Sequence, residues 1–137
     1  MENTTSKVTY LGDLRTEAIH IKSQKKVIND APVDNQGKGE AFSPTDMTAT
    51  SLATCMLTIM GINAKDKSID ITGSVAKVTK VMASNPRRIA EIHIHFCIPN
   101  SAITEKEKTI LENAALNCPV AKSIHPDIIQ KVNFEYV

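Results

Sequence analysis

Two cysteines carry the chemistry that this chain could do. Cys55 lies in the apolar run Leu52-Ala53-Thr54-Cys55-Met56, and Cys118 stands directly before Pro119. They are 63 positions apart, too far for a local metal knuckle. A fold that brings them together makes a dithiol able to reduce an oxidant and be recycled. A fold that keeps them apart leaves two small core residues, the commoner fate of a buried cysteine. The attacking species is a thiolate, and a free cysteine titrates near about 8.5, so attack at neutral pH needs a positive field. The helix around Cys55 cannot supply one. Cys55 follows the expected cap, Ser43, by twelve residues. That is roughly 18 Å along the axis, and dipole effects fade within the first turn. No Lys or Arg stands between Ser43 and Lys65.

Arg15, in Tyr10-Leu11-Gly12-Asp13-Leu14-Arg15, is the candidate cation. A guanidinium stays charged in a dry pocket and can donate to a peroxide oxygen. The plain alternative is a solvated turn arginine. A buried arginine needs a carboxylate to hold it, and Asp46, Glu40 and Glu17 are available. Asp46 is also fully explained as a helix-capping residue. Cys118 could cap the helix that follows it, with its sulfur near backbone N–H groups that lower a thiol pKa. Residue chemistry alone leaves open which cysteine attacks first.

Other signals are weaker. His93, His95 and Cys97 share one strand face, and residues at i and i+2 can chelate a metal, although such a face is ordinarily solvated or packed. There is no Cys-x-x-Cys or His-Glu-x-x-His, and glycine spacing matches neither a dinucleotide fingerprint nor a phosphate loop. His125 reads either as a base for Cys118 or as a helix-end residue bonding the last carbonyls.

These residues need elements to position them. Val8–Gly12 and Glu17–Ser23 read as strands around a turn at Asp13-Leu14, and Lys25–Asn29 as a third strand. Residues 31–41, with Pro32, Gly37 and Gly39, form a loop. Ser43, Pro44 and Asp46 start a helix in capping-box style that runs to about Ala64. Its stripe of Leu52, Met56, Ile59 and Met60, with small Ala49, Ala53 and Ala64, marks a central helix. Ile69–Ala83 and Arg87–Pro99 read as two long strands; Ile92, Ile94, Phe96 and Ile98 alternate with Glu91, His93, His95 and Cys97. Thr104 and Glu107 cap a helix to about Asn117. Pro119 breaks it, a short helix follows to about Ile124, and Lys131–Tyr136 is a final strand. The order β-β-β-α-β-β-α-α-β is an α+β pattern.

Composition narrows the classes. The chain has 137 residues, 42% hydrophobic and 23% charged, which fits one packed domain over 1–137. Net charge is +1 with dispersed basic residues and 4% aromatics, which argues against a nucleic-acid surface. No apolar leader follows Met1, and the stretch 47–64 reads as too short and too polar for a membrane span. Three cysteines without an export signal point to a reducing cytoplasm.

The chain resembles the OsmC/Ohr family of organic hydroperoxide reductases, and looks closest to its OsmC-like branch. The resemblance rests on Tyr10-Leu11-Gly12-Asp13-Leu14-Arg15, Asp30-Ala31-Pro32, Gly37-Lys38-Gly39-Glu40, Ser43-Pro44-Thr45-Asp46, the helix containing Cys55, and Leu116-Asn117-Cys118-Pro119-Val120, taken in that order. It implies an OsmC-like fold in an intertwined homodimer, with active sites at the subunit interface. It implies Cys55 as the peroxidatic thiol, Cys118 as the resolving thiol that closes a disulfide, and Arg15 as the group that stabilises the thiolate. In the Ohr branch a glutamate after the helix-start proline holds the arginine. Here that position is Thr45, and spacing leaves open whether Asp46 or Glu40 takes over.

The resulting expectation is a thiol peroxidase for organic hydroperoxides, recycled by an external dithiol, which the family implies is a lipoylated protein. It needs no metal, haem or flavin, and Met47, Leu52 and Met56 are its candidate lining for apolar substrate tails. The alternative is a non-enzymatic dimer that binds a small apolar ligand or senses oxidation. A structural zinc domain is a third reading.

Overall fold

The computed structural model describes residues 3–137. The described residues gather into two compact units, divided between Met47 and Thr48.

The first unit is an antiparallel sheet of β1 (Ser6–Gly12), β2 (Arg15–His20) and β3 (Lys26–Asp30), in that order. Asp13 and Leu14 both adopt positive φ, 53° and 61°. That is the primed turn that matches strand twist in a two-residue hairpin. It delivers Arg15 as the first residue of β2, where the sequence suggested a position just before the strand. The loop after β3 folds back tightly. Gly39 has φ +62°, and a Cβ on Gly37 would meet the Ala31 carbonyl oxygen at 1.8 Å, so only glycine fits there. No apolar side chain of residues 3–47 is buried; the buried ones are Asp30 and Ser43.

The second unit holds most of α1 (Pro44–Asp66), then β4 (Val75–Ala83), β5 (Arg88–Ile98), α2 (Glu105–Leu116), α3 (Pro119–Ser123) and β6 (Ile129–Tyr136). β5 is central, antiparallel to β4 and parallel to β6. Parallel neighbours need a long crossover, and α2 and α3 provide it. The alternation in β5 does what its pattern predicts: Ile92, Ile94, Phe96 and Ile98 are buried. They pack with Ala49, Leu52, Ala53, Met56, Met60 and Ala64 of α1 and with Leu111 and Ala115 of α2. Phe96 stacks on its register partner Phe134 with ring centroids 5.2 Å apart. Burying each large side chain of this kind is worth roughly 1.5–3 kcal/mol. The architecture is α+β, in the expected element order.

Two expectations need correction. The strand anticipated from Ile69 begins at Val75. Asp70 instead accepts the Thr72 N–H at 2.9 Å in a local turn, and Gly73 sits at φ +90°. The helix is also longer than expected, 23 residues, and is long and apolar enough by composition to cross a membrane, with a mean hydropathy of 1.3. Its hydroxyls do not oppose this, because Ser51, Thr54 and Thr58 donate to helix carbonyls one turn back at 2.7–3.0 Å. One third of that window is buried within the chain.

Candidate active site

The two thiols meet. Cys55 lies midway along α1, half-buried, and packs against the core that contains fully buried Cys118. Cys118 and Cys55 are neighbours across the 63-residue gap, close enough for Cys55 to act on the Cys118 thiol. Both are free thiols.

Local chemistry fixes where Cys118 sits. Pro119 disfavours helical geometry in the residue before it, so Cys118 takes extended φ/ψ (−65°, 159°) and becomes the N-cap of α3. Its carbonyl accepts the first helical bond, from Lys122 N–H at 3.1 Å. Its sulfur faces the N–H groups of Val120 and Ala121, which favour the thiolate, although it closes no capping hydrogen bond. Burial outweighs them. Desolvation first, and then the neighbouring Cys55, push the Cys118 thiol above its ordinary range. The capping expectation holds in geometry, but the balance favours the protonated form. Cys118 is therefore a proton-bearing partner beside Cys55, suited to receive attack chemistry second.

Arg15 is held by a carboxylate that sequence reasoning did not single out. Asp30 lies directly across the β2–β3 ladder from Arg15. Arg15 donates from Nε to Asp30 Oδ1 at 2.7 Å and from Nη2 to Asp30 Oδ2 at 2.8 Å. Glu40 Oε1 accepts a further bond from Nη2 at 3.1 Å. The Glu40 backbone N–H donates to Asp30 Oδ2 at 3.2 Å, so the loop closes on the pair. The Arg15 side chain is 30% exposed, that of Asp30 0%, and that of Glu40 66%. Hydrogen bonds from Arg15 hold the Asp30 carboxyl below the usual carboxylate range against the opposing effect of burial, and the same pairing raises the Arg15 pKa. A signal for Asp30 was present: counting outward from the turn between β2 and β3 pairs residue 15 with residue 30.

Asp46 sits in the capping box of α1. It accepts the Ser43 N–H at 3.0 Å and returns its own N–H to Ser43 Oγ at 3.1 Å. Arg15, Asp30, Glu40 and Asp46 belong to the first unit and the two thiols to the second.

The expected pocket lining is different. Leu52 and Met56 are fully buried, because the helix turns them with Ala49, Ala53 and Met60 into the core. They seat Cys55 rather than line an opening; Met47 is half-buried. A cavity of about 520 Å³ lies at the C-terminal end of α1, lined by Leu57, Gly61, Ala64, Lys65 and residues 68–74. It contains neither Cys55 nor Cys118.

His93 and His95 are paired with carboxylates. His93 Nε2 lies 2.8 Å from Glu91, which also receives Lys131 Nζ at 3.0 Å, and His95 Nε2 lies 3.0 Å from Glu135. Cys97 shares their strand, between Val75 and Glu135 in register. Among the described residues no group of His, Cys, Asp and Glu is arranged to hold a metal ion. His125 Nδ1 accepts the Asp127 N–H at 3.0 Å, in a turn beyond α3.

Comparison with known proteins gives a consistent picture. The model of the OsmC-like protein family matches residues 37–133. A protein of Psychrobacter arcticus 273-4, provisionally named an osmotic stress induced and detoxification response protein, is 64% identical over 96% of each chain, with a TM-score of 0.93. An organic hydroperoxide resistance protein OsmC from Legionella pneumophila shares the fold at 17% identity, covering 97% of this chain and 98% of its own, with a TM-score of 0.75. One from Elizabethkingia anophelis does so at 16% identity, covering 98% and 97%, also with a TM-score of 0.75. No curated protein matches the chain.

Proposed function

The chain belongs to the OsmC-like protein family, and on that premise we propose that it is a cysteine peroxidase that reduces organic hydroperoxides. Family membership supports a peroxide-related stress function. The pairing of Cys55 with a buried, protonated Cys118 carries the finer reading.

The Cys55 thiolate attacks the terminal oxygen of ROOH. The O–O bond breaks, ROH leaves with a proton from the medium, and Cys55 becomes a sulfenic acid. Cys118 then gives up its proton, its sulfur attacks the Cys55 sulfur, and water leaves as the disulfide forms. An external dithiol reduces that disulfide by exchange and is itself oxidised. In this scheme Cys118 does not compete for peroxide, because burial and the neighbouring thiol keep its proton in place. The family resemblance gives Arg15 the part of polarising the peroxide and stabilising the developing charge, and the proposal retains that part.

A homodimer is part of this proposal. A three-stranded sheet needs an apolar face covered to be stable. Yet residues 3–47 bury no apolar side chain, and Val8 and Tyr10 are 61% and 63% exposed. A second copy of the chain would cover them, together with the uncovered part of α1. The lipoylated protein remains the proposed reductant and the cytoplasm the proposed site of action.

The second reading is a redox sensor that forms the same disulfide without turnover. It is favoured by the two carboxylates on Arg15, which offset the charge that catalysis would use. Turnover of cumene hydroperoxide with a dithiol decides between them. Steady consumption supports the peroxidase, and a single stoichiometric oxidation supports the sensor.

A further inference from the structure

Within that peroxidase reading, we propose that Asp30 is the positioning residue for Arg15, fixing both the place and the plane of its guanidinium, while Glu40 is a releasable second contact.

A guanidinium has five N–H groups in a rigid plane. Nε bonds Asp30 Oδ1, and Nη2 bonds both Asp30 Oδ2 and Glu40 Oε1. Nη1 carries no partner among the described residues. Two parallel bonds to one carboxylate set the plane of the fork as well as its place. One bond to an exposed carboxylate sets neither.

Asp30 is itself immobilised on several sides. Its side chain has no exposure. Its N–H donates to the Phe42 carbonyl at 3.0 Å, and its Oδ2 accepts the Glu40 N–H at 3.2 Å. The next residue, Ala31, donates to the Leu14 carbonyl at 3.1 Å, which ties the end of β3 to the turn that precedes Arg15. The arginine thus has its anchor on the neighbouring strand. Glu40 has a different part: its side chain is 66% exposed and makes a single bond of 3.1 Å. It can leave Nη2 without moving the fork. Asp30 acts only through Arg15, so it positions the cation and does not touch the reacting atoms.

The test is a double-mutant cycle on the full-length protein, with Asp30→Asn and Arg15→Lys made singly and together, assayed with cumene hydroperoxide and a dithiol. Misplacing a catalytic group by about 1 Å costs about 100-fold, and Asp30→Asn is expected to lower kcat/KM by that order. Added to Arg15→Lys, it should cost less than about threefold, since the group it positions is already gone. The same 100-fold loss in both backgrounds would mean a general structural role and overturn the proposal. So would a folded Asp30→Asn protein with wild-type kcat/KM.

If Asp30→Asn does not fold, solvent exchange of the Arg15 Nε–H in the wild-type protein, read by ¹⁵N NMR, takes its place. Protected exchange is expected, and exchange as fast as in a free arginine would overturn the anchor. Wild-type protein without peroxide turnover would instead remove the peroxidase reading, and the Nε–H measurement would then decide the anchor alone.

Discussion

Cys118, fully buried at the start of α3, is a neighbour of Cys55 in the middle of α1, and both belong to one core. Chain separation says nothing of this contact; the core made by α1, α2 and β5 creates it. It gives the two thiols unequal parts, and the first predictions follow from that inequality.

Cys118 should be a poor nucleophile when tested alone. In a Cys55→Ser protein burial remains, so the Cys118 pKa stays above that of a free thiol, near about 8.5. Alkylation by iodoacetamide should be slow at pH 7–8 and should accelerate only at pH values above the free-thiol range. The folded form holds the proton more tightly than the unfolded one, so stability also falls as pH rises through that range. Rapid labelling of folded protein at pH 7 would contradict the assignment.

The two serine variants should fail in different ways. Cys55→Ser should abolish peroxide consumption. Cys118→Ser should still react once per chain and leave a Cys55 sulfenic acid that a dimedone probe captures. Equal capture in wild-type and Cys118→Ser proteins would mean that Cys118 does not resolve.

The Arg15–Asp30 pair should show in acid. Asp30 has a depressed folded pKa, so its contribution is present above the unfolded carboxylate value, about 3.9, and is lost as pH falls through the lower folded value. Asp30→Asn has no carboxylate to protonate at this position. Urea midpoints of the two proteins should differ at pH 7 and converge as pH drops below about 3.9. A gap that stays constant across this range would exclude the ion pair as its source.

Leu52 separates core from pocket. It is fully buried among Ala49, Met56 and the inner face of β5. Leu52→Ala should cost about 2–5 kcal/mol of stability, the usual effect of a core cavity. The measurement is chemical denaturation of the reduced protein. A change in peroxide KM with stability intact would return Leu52 to the substrate site.

Much of this arrangement was legible in the residue order, where local chemistry decides. Ser43-Pro44 and Thr104 with Glu107 start helices because caps act within one turn. Pro119 forces Cys118 into cap geometry for the same reason. The period-two pattern of β5 identified its buried face directly. What remained hidden depends on packing between distant segments. The Cys55–Cys118 contact entered as a family implication, and the direction of the Cys118 pKa depends on burial that no spacing reveals. Asp30 meets Arg15 through the ladder, which pairs strands across a turn, whereas Asp46, Glu40 and Glu17 stand out in the sequence only as nearby carboxylates. An apolar helical stripe looks the same at a pocket as in a core, so sequence alone does not separate the two roles for Leu52 and Met56.

Intact-mass analysis of the reduced protein, after one equivalent of cumene hydroperoxide and with peptide mapping, tests the central claim most directly. The account predicts loss of two hydrogens and a peptide pair linked through Cys55 and Cys118. Unchanged mass, or methionine oxidation with both thiols intact, would contradict it.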